Sequence, residues 1–168
     1  MKNNLLQKIL ISLIVIGIIV VGIITAKAIM VKNVNSKKEI TAEQFKEKMS
    51  DKGYYISSII GEQSPKYLKS AYIAISKDQV YDIKFYEAET DEDALKNVFL
   101  KEKEAIEKES NKKVEKDIKI KQYNYFKAEI NNKIYIVIKN GKTVIITKID
   151  KSKEKEVNQI LKEFNYIL

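Results

Sequence analysis

Five acids crowd one short stretch of this chain: Glu87, Glu89, Asp91, Glu92 and Asp93. Hard divalent cations are held by several carboxylate oxygens, so Glu87, Glu89 and Asp91 are the candidate metal ligands. The competing reading is electrostatic. Acids in a first helical turn complement the helix dipole, and the loop glycine of a calcium-binding hand is missing. Ser-x-x-Lys occurs at Ser110/Lys113 and Ser152/Lys155. A serine acyl-transferase of that type needs a desolvated lysine and companion motifs. Both pairs instead fall in the most charged stretches, and the companions are absent. Asn140-Gly141-Lys142-Thr143 ends like a phosphate loop, but position 136 is Ile where that loop needs glycine. No catalytic residue is assigned, and no cofactor is expected.

Composition removes further chemistry. The 168 residues include no Cys and no His. Thiolate nucleophiles, disulfides and the commonest general base are therefore excluded. Every one of the 31 basic residues is Lys, so the bidentate guanidinium fork is missing too. Tyrosine, with ten copies, is the remaining resource for recognition. It offers a large contact area at low entropic cost. Tyr86, Tyr123, Tyr125 and Tyr135 lie opposite or beside the inferred core positions of their strands and form the candidate binding surface. The competing reading is that Tyr simply suits half-buried sheet positions.

These side chains need elements to position them. ITAEQFKEKM opens a helix, with Thr41 and Gln44 spaced as a capping box and Gly53 as its stop. YYISSII is rich in strand formers. AYIAIS and VYDIKFYEAE alternate around a short turn, which reads as a hairpin; Ala71, Ile73 and Ile75 share one face of the first. TDEDALKNVFLKEKEAIEKES is a second helix. It is capped by Thr90 and Asp93, with Leu95, Val98, Phe99, Ala105 and Ile106 as its apolar stripe. NKKVEKDIK reads as a polar exit. QYNYFKAEI, KIYIVIK and KTVIITKID are three further strands, joined at Asn131-Asn132 and at Asn140-Gly141. A closing helix buries Val157, Ile160, Leu161 and Phe164. The expected fold class is α+β, in the order α-βββ-α-βββ-α: a mainly antiparallel sheet of five to six strands with helices packed on one face.

The N-terminus sets the context. Ile9 to Ala26 is 18 residues without a charge, about 27 Å as a helix, close to the thickness of the hydrocarbon core. The expected organisation is a basic tail at 1–8, a transmembrane signal-anchor helix at 9–30, a lysine-rich tether at 31–38, and an α+β domain at 39–168. Ala26-Lys27-Ala28 resembles a signal-peptidase site, but the apolar run exceeds a signal h-region and Lys27 falls inside the site. A retained anchor is expected rather than a cut after Ala28. Six lysines flank the run, leaving 25 lysines against 23 acids in the domain. The basicity thus suits anionic lipid, and no nucleic-acid partner is expected.

The layout resembles that of small single-span proteins of AT-rich bacteria, a resemblance of arrangement that implies no active site. The expected function is that of a single-pass envelope protein in the cell membrane, non-enzymatic, with an extracytoplasmic domain. That domain binds a protein partner or ligand. The competing expectations are a carboxylate- or metal-dependent extracytoplasmic enzyme, and a cytoplasm-facing regulatory subunit of a membrane complex.

Overall fold

The computed structural model describes residues 37–120 and 122–167. The expected tail, span and most of the tether lie outside the described residues. Among the described residues, no helix is long and apolar enough to cross a membrane. The compact unit begins at Lys37, two residues before the expected boundary. Lys37 is buried, and its Nζ donates to the Asn165 carbonyl at 2.9 Å. Asn140 Nδ2 donates to the Lys38 carbonyl at 3.2 Å.

The first helix, α1, spans Ala42–Asp51. Thr41 accepts from the Gln44 N–H, and the Gln44 side chain accepts from the Thr41 N–H, so both halves of the capping box form. The helix stops at Gly53, whose φ of 78° is cheap only without a Cβ. Strands β1 (Tyr55–Ser58), β2 (Leu68–Ile75) and β3 (Asp82–Ala88) follow. Helix α2 covers 91–108: Asp91–Asp93, a π-helical stretch Ala94–Phe99, then Leu100–Lys108. Four strands complete the sheet: β4 (Lys113–Ile120), β5 (Tyr123–Ile130), β6 (Lys133–Asn140) and β7 (Thr143–Asp150). After a 3-10 turn at Lys151–Lys153, α3 runs over Glu154–Glu163.

All seven strands form one antiparallel sheet in the order β1-β2-β3-β7-β6-β5-β4. The chain leaves β3 in mid-sheet and crosses by α2 to the far edge. It then returns as a meander that lays β7 against β3. The α+β class and antiparallel sheet match expectation, but two features differ. The strand count is seven because KVEKDIKI is a strand. It lies at an edge, mostly exposed, so it shows no alternation of apolar and polar residues. The helices also occupy both faces rather than one.

Register assigns those faces. Phe85, Ile145, Ile138 and Tyr125 stand in line across β3, β7, β6 and β5. Phe45 of α1 stacks on Phe85, with centroids 4.9 Å apart, and touches Phe164 after α3. This is the α1/α3 face. On the other face, Val144, Val137 and Phe126 meet Phe99 and Ile106 of α2 in one buried cluster. Each fully buried aliphatic or Phe side chain contributes about 2 kcal/mol of transfer free energy. A sheet apolar on both faces therefore needs a helix on each. The π stretch turns the rest of α2, so Lys103 and Ile106 are buried while Ala105, an expected stripe residue, is exposed.

Candidate functional site

The structure separates the four predicted tyrosines. Tyr123 and Tyr125 are buried on the α1/α3 face, whereas Tyr86 and Tyr135 are half-buried on the α2 face. They form no common surface. Tyr123 Oη donates to the Tyr166 carbonyl at 2.7 Å. Burial raises the hydroxyl pKa of Tyr125 to about 12, and that of Tyr123 also shifts upward. Lysines cover most of the tyrosine rings. Ammonium groups sit over Tyr123, Tyr72, Tyr67, Tyr125, Tyr135 and Tyr81 at 4.9 to 5.8 Å from the ring centroids. Lys–Tyr cation–π pairing, each pair worth roughly 0.5–1 kcal/mol when exposed, is thus the commonest use of Tyr in this domain.

Two of the three predicted acids are engaged by lysines. Glu87 accepts from Lys69 at 2.7 Å and from Ser70 at 3.1 Å. Asp91 pairs with Lys139 at 2.7 Å. Glu89 is exposed and lies after the end of β3. Among the described residues, no three acids converge as a cation site. Thr90 caps α2 by accepting from the Asp93 N–H at 3.0 Å, so the acids also complement a helix start.

The densest polar node gathers at the opposite end of the sheet. Tyr54 Oη and Tyr81 Oη are hydrogen-bonded, and Tyr81 Oη donates to Glu156 Oε1 at 2.7 Å. Lys153 Nζ reaches Asp78 Oδ2 at 3.1 Å and Glu156 Oε2 at 3.4 Å. Ser76 Oγ donates to Asp78 at 2.6 Å. The Ser76 hydroxyl, then Lys153, hold the Asp78 carboxyl at a pKa of about 2. Burial, then the bonds to Tyr54 and Glu156, push the Tyr81 hydroxyl far upward. The node ties the β2–β3 turn to the start of α3. Its groups satisfy one another.

What remains open is a corner of the α2 face. Helix α2 packs on β3, β6 and β7, leaving β1 and the end of β2 uncovered. Tyr55 is 61 % exposed there, with Ile59 at 42 % and Val80, in the adjoining turn, at 51 %. Ile73 and Ile75, opposite Ser57 and Tyr55, are half-buried. Among the described residues, no lysine covers the Tyr55 ring. On the other side of the same edge, Lys46, Glu47, Ser50, Ile56, Ser58 and Tyr72 line an open groove of about 450 Å³.

The chain matches no family model, no curated protein and no solved structure. The corner therefore stands on its own geometry. Sequence reasoning put Ile73 and Ile75 on one strand face with Ala71 but did not show that this face is left uncovered at their end. The available signal was the stretch from Tyr54 to Ile60, seven residues without a charge in a chain that is 32 % charged.

Proposed function

We propose that this chain is a single-pass membrane protein whose α+β domain lies outside the membrane and binds a protein partner at the uncovered corner of its sheet. The observation that carries this reading is Tyr55. It is exposed on an edge strand beside Ile59, Ile73 and Ile75, with no helix or lysine above it among the described residues. An exposed aromatic residue among half-buried aliphatics on an uncovered sheet face fits an interaction surface. The membrane part is supported by the uncharged run from Ile9 to Ala26 and the lysines on either side of it. The pairing of Glu87 and Asp91 with lysines weighs against a carboxylate-metal centre.

The test is mild cross-linking of the detergent-extracted, full-length protein, followed by identification of what co-purifies. Tyr55→Ser and Ile75→Lys should each lower recovery of the captured envelope protein about tenfold, the scale of a lost hot-spot side chain. Recovery that neither variant changes, or a wild-type chain that captures no envelope protein, overturns the proposal. Reporter fusions at the C-terminus decide the side of the membrane. Activity from the cytoplasmic reporter alone would put the domain inside.

A further inference from the structure

We infer that the open edge of β1 pairs with the same edge of a second copy, centred on Ser57, to join two sheets into one. This goes beyond the binding proposal and does not depend on it. The pairing of β1 with β2 decides which of its backbone groups face the open edge. The Ile59 N–H donates to the Ala71 carbonyl at 3.0 Å, and β1 pairs with β2 so that Ser57 faces Ile73 and Tyr55 faces Ile75. In an antiparallel pair, the N–H and C=O of one residue point to the same side, and the side alternates along the strand. Residues 55, 57 and 59 therefore bond to β2. The N–H and C=O groups of Ile56 and Ser58 point out of the open edge, with no backbone partner among the described residues; the Ser58 carbonyl accepts only from the neighbouring Ser57 Oγ, at a long 3.4 Å.

A second antiparallel copy has to match those free groups, which leaves three registers. Ile56 can face Ile56, Ser58 can face Ser58, or Ile56 can face Ser58. Only the last uses both free residues of both strands. It places Ser57 opposite Ser57 on the two-fold axis and Tyr55 opposite Ile59. Tyr55 and Ile59 are two of the four most exposed large apolar side chains among the described residues. Aromatic and β-branched residues directly opposed on one face form a stabilising cross-strand pair. The other two registers set them against serine or glycine instead. The contact is isologous, as a two-fold dimer requires.

Charge points the same way. Residues 54–60 carry none, so the two paired strand segments themselves oppose no like charges. The other edge of the sheet is defended: β4 presents Lys113, Glu115, Lys116, Asp117 and Lys119, with a bulge between Val114 and Lys116. Pairing through β1 also sets the two uncovered corners side by side. Ile73 and Ile75 of both copies then line one continuous face.

The absence of native cysteine makes the test clean. Ser57→Cys introduces a single thiol. Opposed residues of a non-hydrogen-bonded pair have Cα atoms about 4.5 Å apart, within disulfide range. Mild oxidation of the full-length variant in membranes should give a disulfide-linked dimer on a non-reducing gel. Val114→Cys, on the opposite edge, should link about tenfold less, because it meets only by collision. In a second arm, Ser57→Lys and Ser57→Glu should each abolish the dimer by opposing like charges at the axis, and mixing the two should restore a mixed dimer. A Ser57→Cys chain that stays monomeric overturns the inference. So does a Val114→Cys chain that links equally well, or a dimer indifferent to Ser57→Lys. Partner capture is scored separately. If Ile75→Lys loses the partner while Ser57→Cys stays monomeric, the binding proposal stands and the dimer falls.

Discussion

Lys139 is completely buried, and its ammonium reaches the Asp91 carboxylate at 2.7 Å, tying the first turn of α2 to a central strand. Its second acceptor is the Gln122 carbonyl at 2.9 Å. Removing Asp91 leaves a buried cation short of a partner, whereas removing the cation itself leaves an exposed carboxylate that water can solvate. Asp91→Ala should therefore destabilise the domain by about 2 kcal/mol, while Lys139→Met should be near neutral. Added to Lys139→Met, Asp91→Ala should cost little more. Urea unfolding of the two single variants and the double variant checks the order. Equal losses in both single variants would refute it.

Gly141 and Glu39 form a second lock. Gly141 opens the β6–β7 turn at φ 56°, and a Cβ there would run into the Glu39 carboxylate. That carboxylate accepts from the Lys142 N–H at 3.0 Å. Gly141→Ala should cost about 2 kcal/mol, combining left-handed strain with the clash. In a Glu39→Ala background the same change should cost less, because only the strain remains. A double-mutant cycle by thermal melting measures the difference.

Much of the fold was legible because local chemistry and burial agreed. Thr41 with Gln44, and Asn131-Asn132 at positive φ, act where their residue types predict, whereas at Thr90 only half of the capping box forms: Thr90 accepts from the Asp93 N–H, and the Asp93 carboxylate takes the Thr90 hydroxyl. At Asn140-Gly141 the turn is displaced by one residue. Asn140 closes β6, and Gly141-Lys142 make the turn. Strand β4 was illegible because an edge strand open to water keeps no apolar period. The helix faces were illegible because alternation such as Phe126, Ala128, Ile130 marks one covered face, while Tyr123 and Tyr125 read as polar although they are buried. The corner at Tyr55 was hidden for a related reason: periodicity puts Ile73 and Ile75 in line with Ala71, but only tertiary packing decides how far α2 reaches.

Acid should destabilise the domain in a defined window. The Ser76 hydroxyl and Lys153 hold Asp78 down to a pKa of about 2, against an ordinary 3.8. Lys127 lowers Glu115, and Lys52 lowers Glu163, from an ordinary 4.5. A depressed carboxyl binds its proton more readily in the unfolded chain. Its stabilisation is thus present above the unfolded pKa and lost as pH falls through the folded one. The melting temperature should hold down to about pH 5 and fall between about pH 4.5 and 2. Asp78→Asn should lower the plateau and shrink the drop. A drop of unchanged size in Asp78→Asn would show that the Ser76–Asp78–Lys153 contacts add nothing in solution.

Tyr81 should be the weak point of the polar node in alkali. Glu156 can only accept, so Tyr81 donates to it and Tyr54 donates to Tyr81. Tyr81→Phe removes a donor and an acceptor together and should cost about 1–2 kcal/mol. Tyr54→Phe should cost less, because the Tyr81–Glu156 bond survives and the Tyr54 position is partly open to water. The raised hydroxyl pKa of Tyr81 gives the second readout. A group whose pKa rises on folding contributes stability below its unfolded pKa and loses it as pH climbs. Wild-type stability should therefore decline above about pH 10, and the decline should be shallower in Tyr81→Phe. Urea titrations at stepped alkaline pH, with tyrosinate absorbance followed in parallel, check this. Parallel declines in the two proteins would show that the Tyr81 hydroxyl is not held as the structure places it.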